Sequence, residues 1–443
     1  MSLLLFSRLL PGLGVAAAAF SQIAPMEDAA LKYGLGVDSE CGDKGRQECS
    51  TSALQRKAVE LSEDVLQTKV VSHLKDCNAM NHPTEARIYP EAPDLVYVTK
   101  RGWVGCTPQL CPQGGEQGSS VAAGLAVVNV SDPRAPAIVH LWHSSEAVEG
   151  QDRLGDLLVV ASLAKGGVYT FDVQQSSHPR LLAFADIPDA PSTLHVKLQK
   201  AKGKIYAFLS QGWCDDPQLM GCDRYGFSRV HSVDVTDPAM PMPVGTVHTG
   251  VHAPESITVN GNFLYVGGIE SQTFAVVNIT DASRMHVVCH ANECATMTAS
   301  YYNQMVGDYL HTGSDGSFNA AHGDTPALWV AALWGHPGGV AVFNVSQPAF
   351  PKQVGLLLHK KMSRANRIHI HYGKAVVPLE QDPAGGFAVV DVANPLMPRL
   401  LGTMFLPSQD TRVYALVVKD NIVVLFVART CEMYAIETQG LGQ

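Results

Sequence analysis

Hydrophobic and polar positions repeat along this chain with a long and regular spacing. A run of apolar, mostly β-branched residues ends in Asp, Asn or Glu, as in LAVVN at 125–129 and FAVVD at 387–391. Short apolar runs that stop at a polar turn residue predict β-strands. Seven such runs occur, at 125–129, 168–172, 230–234, 274–278, 340–344, 387–391 and 433–437.

The segments that follow these runs also repeat. Most runs enter a turn such as VSDPRAP after Asn129 or VTDPAMP after Asp234, in which Asx or Ser side chains and Pro end the strand. Another strand follows (AIVHLW, PVGTVH), and then two strands joined by a tight turn, as in SITVNGNFLYVGG. Each unit is therefore predicted to be a four-stranded antiparallel meander.

The spacing of the units predicts the overall architecture. The last residues of the seven runs are 43, 62, 44, 66, 47 and 46 positions apart. A period in the forties with four strands per unit is typical of propeller blades. The pattern would also fit an unclosed array of β-sandwiches, but seven regular copies favour an all-β, seven-bladed β-propeller.

The seventh unit is one strand short at its C-terminal end. Only six residues follow Glu437, and the upstream segment 68–74 (TKVVSHL) resembles the missing fourth strand. We therefore expect a three-plus-one ring closure in which 68–74 pairs with 433–436. Antiparallel pairing brings Cys77 beside Cys431, and these two cysteines are predicted to form a disulfide.

The strand followed by D-x-[ST]-[DN]-P-x-x-P resembles the LVIVD-repeat family of β-propellers, over about residues 68–437. Repeats two and four depart from the pattern, with QQSSHP and TDASRM at the turn. The resemblance implies an extracytoplasmic propeller. The biochemical activity of this family is broadly undefined, so the resemblance transfers no catalytic residue.

The N-terminal region lies outside the repeats. Residues 3–20 are apolar apart from Ser7 and Arg8 and end in a run of alanines, which predicts a secretory signal peptide at 1–19. An uncleaved anchor is the alternative, although Arg8 and Pro11 leave a short apolar stretch. Residues 20–66 are predicted to be an extension with a short amphipathic helix at 53–66, and 67–443 to be the propeller.

The cysteines fit an oxidising compartment. Besides Cys77 and Cys431, eight of the ten fall into four close pairs. Their spacing suits small disulfide-closed loops better than tetrahedral zinc, although spacing leaves the connectivity open. The pairs are Cys41 with Cys49, Cys106 with Cys111, Cys214 with Cys222, and Cys289 with Cys294.

The net charge of −9 argues against nucleic acid as a partner, because no basic excess is present to neutralise phosphates. With the signal peptide removed, we expect no membrane span and a secreted or cell-surface location. The partner is then a protein or small-molecule ligand, whose identity the sequence leaves open.

A motif H-x-x-E stands just before three of the predicted inner strands. Because inner strands meet at the central channel, imidazole and carboxylate groups there could hold a divalent metal ion. The alternative is that these side chains cap backbone groups in a shared turn. The candidate metal ligands are His82, Glu85, His143, Glu146, His252 and Glu255. His369 and His371 alternate on a predicted strand and supply only two ligands.

Two insertions share Gly-Trp, Pro-Gln-Leu and a Cys pair: 102–111 and 212–222. Their tryptophans, Trp103 and Trp213, are candidate ligand-binding anchors on one face, or each seals its own loop. These features favour a binding or scaffolding module that uses disulfide-braced loops. The alternative is a metal-dependent enzyme with its site at the channel mouth, as in the loosely similar methanethiol oxidase or selenium-binding propellers.

Overall fold

The computed structural model describes residues 66–441 with interruptions. The gaps are 103–122, 164, 189, 212–227, 252–253, 269–273, 291–303, 312–327, 336, 381–383, 408–410 and 429, and only the backbone is described for 255 and 304–311. The predicted signal peptide and all of the predicted helix except Leu66 therefore lie outside the described residues. No helix in the described part is long and apolar enough to cross a bilayer.

The described residues form 28 strands in seven separate four-stranded antiparallel sheets. Each sheet is one blade of an all-β, seven-bladed propeller. The first strand, β1 (Thr68–Lys75), precedes the first blade along the chain. Blade 1 consists of β2 (Pro83–Tyr89), β3 (Ala92–Lys100), β4 (Ala123–Asn129) and β5 (Ala137–Ser144). Blade 2 consists of β6 (Val148–Leu154), β7 (Leu157–Ser162), β8 (Gly167–Asp172) and β9 (Arg180–Asp186). Blade 3 consists of β10 (Thr193–Ala201), β11 (Lys204–Gln211), β12 (Arg229–Asp234) and β13 (Met242–His248).

The remaining blades follow the same order. Blade 4 consists of β14 (Pro254–Asn260), β15 (Phe263–Gly268), β16 (Phe274–Asn278) and β17 (His286–His290). Blade 5 consists of β18 (Gln304–His311), β19 (Leu328–Trp334), β20 (Gly338–Asn344) and β21 (Lys352–His359). Blade 6 consists of β22 (His369–His371), β23 (Lys374–Leu379), β24 (Gly386–Asp391) and β25 (Arg399–Phe405). Blade 7 contains β26 (Val413–Lys419), β27 (Ile422–Val427) and β28 (Glu432–Thr438). A short 3₁₀ helix, Lys360–Met362, follows β21.

The first strand of each blade lies nearest the ring centre. Contacts between neighbouring blades join β2 with β26, β6 with β10, and β10 with β14. All first strands run in one direction, so their starting ends share one face of the ring, which we call the upper face. Because the strands alternate in direction, the connections between second and third strands also lie at the upper face.

The core lies between blades rather than inside one blade. One buried cluster, for example, joins Val159 and Val168 of blade 2 to Leu209 and Val233 of blade 3. The second and third strands are covered on both sides, which explains why they are continuously apolar.

The repeated turn after the third strand owes its sequence to two successive side-chain caps. Asn129 Oδ1 accepts a hydrogen bond from the Ser131 amide at 2.8 Å, and Asp132 Oδ1 accepts one from the Arg134 amide at 3.0 Å. The same pair of caps recurs at Asp391 and Asn394. Asx side chains at both positions thus end the strand and reverse the chain.

These turns also hold adjacent blades together. Ser232 Oγ donates to the Ala282 carbonyl in the turn of the next blade at 2.6 Å, and the Tyr97 hydroxyl donates to the Ser176 carbonyl at 2.7 Å. A Cβ on Gly355 would lie 2.0 Å from the Pro395 carbonyl oxygen of the next blade. The glycine in QVGLLL is therefore required for the close approach of two blades.

The two ends of the described chain meet in blade 7. Strand β1 pairs antiparallel with β28, with Val70 opposite Ile436 and Leu74 opposite Met433. The sheet order is β1-β28-β27-β26. Just beyond the paired residues, Cys77 and Cys431 form a disulfide with a Cα–Cα distance of 4.8 Å.

Candidate functional site

Glu85 is the most buried of the metal candidates whose side chains the structure describes. It is the third residue of β2 and is 2% exposed. Arg87 donates to Glu85 Oε1 through both Nε and Nη2 at 2.6 Å, and the Gln151 amide donates to Oε2 at 2.7 Å. The carboxylate is thus held by arginine and backbone donors.

His82 precedes β2 and is 9% exposed. Its ring stacks on Tyr414 with centroids 5.4 Å apart, and its backbone lies in the left-handed region with φ of 51°. His82 therefore packs against the first strand of blade 7.

The prediction that all three H-x-x-E motifs reach one level of the channel is wrong for blade 2. His143 lies on β5, the outermost strand of blade 1, and is exposed. Glu146 lies in the connection to β6, where its amide donates to Ser144 Oγ at 3.1 Å. The motifs share the same internal spacing, but β2 begins inside the first motif, whereas β6 begins after the second motif has ended. His252 lies outside the described residues, and only the backbone of Glu255, on β14, is described.

The residue of blade 2 that does reach the channel is Glu149. It is the second residue of β6 and is 2% exposed. Arg101 Nε donates to its Oε2 at 2.6 Å, and Arg367 Nη2 donates to its Oε1 at 2.9 Å. Arg367 Nη1 also lies 3.7 Å from Glu85 Oε1, so this one arginine links both buried carboxylates.

His195 completes this group from blade 3. It is 6% exposed on β10, and Arg367 Nη1 lies 3.1 Å from its Nε2. Burial, reinforced by Arg367, lowers the pKa of His195 well below its usual range, so the ring is neutral at pH 7 and accepts the arginine proton. We call Glu85, Arg87, Arg101, Glu149, His195 and Arg367 the channel cluster.

The charges of the channel cluster fix its protonation. Burial alone would raise the pKa of Glu85, but Arg87 and Arg367 outweigh it and lower that pKa to about 2. Glu85 in turn raises the pKa of Arg87, against the opposing effect of burial. Glu85 is therefore a carboxylate at neutral pH and does not serve there as a proton donor.

A cavity of about 130 Å³ adjoins the channel cluster. Its polar lining is Glu85, Arg87, His195, Ser256, Arg367 and His369, and its apolar lining includes Ile88, Ile257 and Leu416. These residues come from blades 1, 3, 4, 6 and 7, so the cavity lies where first strands converge.

A second acidic centre lies nearby at the upper face. Glu380 follows β23 and is 7% exposed; the Tyr414 hydroxyl donates to its Oε1 at 2.8 Å and Arg412 Nη1 donates at 3.2 Å. Trp334 Nε1 donates to Oε2 at 3.3 Å. Burial and Glu380 together raise the pKa of Tyr414 to about 12, so the phenol stays protonated.

The donor sets around these carboxylates suit organic or structural contacts better than a metal. No group of three His, Cys, Asp or Glu side chains in the described parts of the chain has metal-binding geometry. Each buried carboxylate of the channel cluster is instead occupied by guanidinium groups, which repel a cation.

Comparison with known proteins identifies one repeat within this ring. Residues 253–292 match the LVIVD repeat, and that range contains all four strands of blade 4. One blade of this seven-bladed β-propeller thus carries an LVIVD repeat. Curated proteins include no match to the sequence.

Two solved structures resemble this propeller in fold. The β-propeller domain of Cps50 (Swd1) from Myceliophteria thermophila has 10% identity and a TM-score of 0.54, covering 84% of this chain and 99% of that one. A protein from Lactobacillus plantarum has 11% identity and a TM-score of 0.51, covering 74% of this chain and 86% of that one. At these identities the likeness concerns the fold alone.

His369 and His371 of this propeller have separate environments. Burial, with a contribution from His371, lowers the pKa of His369 to about 3. His371 Nε2 lies 2.7 Å from the Asp420 carbonyl and donates to it. The ring centroids are 6.4 Å apart. His369 faces the cavity, whereas His371 bonds to a turn of blade 7.

The remaining predicted sites lie largely outside the described residues of the propeller. Trp103 and Trp213 fall in the connections between second and third strands of blades 1 and 3. Cys289 lies on β17 and is disulfide-bonded, while Cys294 lies outside the described part. The other predicted disulfide cysteines also lie outside it: Cys41, Cys49, Cys106, Cys111, Cys214 and Cys222.

Sequence reasoning missed Arg87, Arg101, Glu149, His195 and Arg367. The tight turn between the first and second strands of each blade offered a usable reference point for alignment. Glu85 and Arg367 each lie five positions before the first residue of that turn, and Glu149 lies six positions before it. Alignment from the turn, instead of from the histidine, would have placed the three within one residue of a common level.

Proposed function

We propose that this propeller is a secreted or surface-displayed binding module that receives its ligand at the upper face. The observation that carries the proposal is the channel cluster with its adjoining cavity. Its charged groups are already paired and oriented, which is the preorganisation that ligand sites use.

Solvent access to the cluster supports this direction of approach. The side chains of Arg87 and Arg101 are 33% and 32% exposed, whereas their partners Glu85 and Glu149 are 2% exposed. Arg101 follows β3 at the upper face, so a ligand that approaches there meets its guanidinium group before the carboxylate of Glu149.

Chain topology supports a larger contact surface on the same face. Segments 103–122 and 212–227 join second to third strands, and 291–303 joins blade 4 to blade 5. All three connect strand ends at the upper face. Trp103 and Trp213 belong to two of these segments, and we propose that they anchor a protein partner.

Secretion forms part of the same proposal. A signal peptide at 1–19, an oxidising compartment and additional disulfides in the upper-face segments belong together. N-terminal sequencing of protein recovered from the medium of expressing cells tests this point; retention of residues 1–19 on an intracellular product would contradict it.

The binding proposal is tested by covalent capture on full-length protein. Wild type is displayed on cells and cross-linked to extracellular proteins from its source, in parallel with Trp103→Ala, Trp213→Ala and the control Phe350→Ala. Phe350 is an aromatic residue that is 56% exposed in a lower-face turn. We expect the tryptophan variants to lose a cross-linked partner that the control retains; equal capture by all three would overturn the proposal.

A further inference from the structure

The cavity beside the channel cluster contains donors that no group in the described part of the chain satisfies. Ser256 is 2% exposed and lines the cavity, and its Oγ has no hydrogen-bond partner within the described part of the chain. The same holds for Arg367 Nε, which is buried at the cavity wall. Buried polar groups normally have partners, so two donors at one cavity indicate a ligand with acceptor atoms.

The charges around the cavity indicate the sign of that ligand. Arg87, Arg101, Arg367 and Lys197 carry positive charge in this region, against Glu85, Glu149 and Asp152. His195 and His369 are neutral at pH 7 because burial lowers both pKa values. Among these described side chains the excess is one positive charge, which a single anionic group neutralises.

The size and the apolar walls of the cavity restrict the ligand further. A volume of about 130 Å³ corresponds to about four water molecules, at roughly 30 Å³ each. Ile88, Ile257 and Leu416 supply apolar wall. Inorganic phosphate would place oxygen atoms against these side chains, whereas a short hydrocarbon chain gains from burial there.

We propose that this cavity binds a short-chain organic carboxylate, with the carboxylate between Arg87, Arg367 and Ser256 and the hydrocarbon part against the isoleucines. Guanidinium groups match carboxylate geometry, and the Ser256 hydroxyl adds one donor. The inference rests on the proposed binding function and names a ligand class for the upper-face site.

The test is isothermal titration calorimetry of the full-length protein in a carboxylate-free buffer. Butyrate is the probe, with butyramide as its neutral analogue and inorganic phosphate as the rival anion. We expect butyrate to bind and butyramide to bind at least tenfold more weakly. No butyrate binding up to tens of millimolar, or phosphate binding of equal strength, overturns the proposal.

Two serine variants locate the binding. Ser256→Ala removes the donor at the cavity and is expected to weaken butyrate binding about tenfold, the effect of one hydrogen bond to a charged group. Ser162→Ala is the control, because the Ser162 hydroxyl is equally buried and also has no partner among the described residues, but it lies on β7 away from the cavity. Equal affinities for the two variants would place the binding elsewhere.

Failure of this inference is distinguishable from failure of the proposed function. Partner capture is read from the Trp103 and Trp213 variants, whereas butyrate binding is read from wild type and Ser256→Ala, so the two results are independent. Capture without butyrate binding rejects the carboxylate and keeps the binding module. Absence of both rejects the upper face as a ligand-binding surface.

Discussion

At the scale of single residues, the buried charges of the ring centre are held by one another. Arg367 contacts Glu85, Glu149 and His195, which belong to blades 1, 2 and 3, while Arg367 itself precedes the first strand of blade 6. It therefore bridges the channel. Removing one member leaves a buried charge without its counter-charge. The free-energy cost of that unpaired charge exceeds the net stabilisation that the ion pair provides.

We predict that Glu85→Gln lowers the free energy of unfolding at pH 7 by about 3 kcal/mol. The folded-state pKa of about 2 lies below the usual 4.5, so the carboxylate stabilises the fold above pH 4.5. This contribution disappears as the pH falls from 4.5 toward 2. Urea unfolding at pH 7 and across the acid range measures it.

The control for this substitution is Glu146→Gln, which changes a half-buried glutamate outside the channel cluster. Its unfolding free energy should follow that of wild type at every pH. If Glu85→Gln also follows wild type, the ion pairs with Arg87 and Arg367 do not stabilise the fold.

At the scale of strands and turns, the repeat is a device for joining blades. The two Asx caps shape each turn, and the turn backbone then packs on the fourth strand of the preceding blade. Gly245 and Gly355 occupy the points of contact, where a Cβ would lie 2.3 Å from the Ala282 oxygen and 2.0 Å from the Pro395 oxygen.

We predict that Gly355→Ala destabilises the propeller by about 2 kcal/mol, because the added methyl group must displace backbone atoms of blade 6. Thermal and urea unfolding measure the loss. Gly261→Asn is the control: a Cβ at this position would have no atom within 4 Å, and asparagine tolerates the φ of +57°. A loss for Gly355→Ala no greater than for this control would show that the blades can separate locally at little cost.

At the scale of the whole molecule, the ring joins its two chain ends in one sheet. Seven β1 residues pair with β28, and the disulfide between Cys77 and Cys431 spans 354 positions of sequence. A cross-link of such length restricts the unfolded chain strongly. The pairing and the disulfide both act on blade 7, where separation of the sheet would open the ring.

We predict that Cys77→Ser lowers the free energy of unfolding by about 5 kcal/mol, the chain-entropy value for a loop of this size less any strain. Cys431→Ser and the double variant should give the same loss, since one bond is removed in each case. Urea midpoints and non-reducing peptide mapping measure the outcome. Unequal losses, or free thiols in wild type, would contradict this account of the closure.

The sequence alone determined the seven-bladed architecture, because strand alternation and Asx-Pro turns are local properties that repeat. It also singled out Glu85, but as a metal ligand. The histidine-based alignment misplaced His143 and Glu146, since strand offsets within a blade are not encoded in a four-residue motif.

Tertiary structure decided what Glu85 contacts and why the repeat contains glycine. Arg367 lies 282 positions after Glu85 in the chain, and closure of the ring alone brings the two together. The clash that excludes a side chain at Gly355 arises from the next blade. Local patterns specify strands and turns through short-range physics, whereas ion pairs across the channel depend on the position of every blade between them.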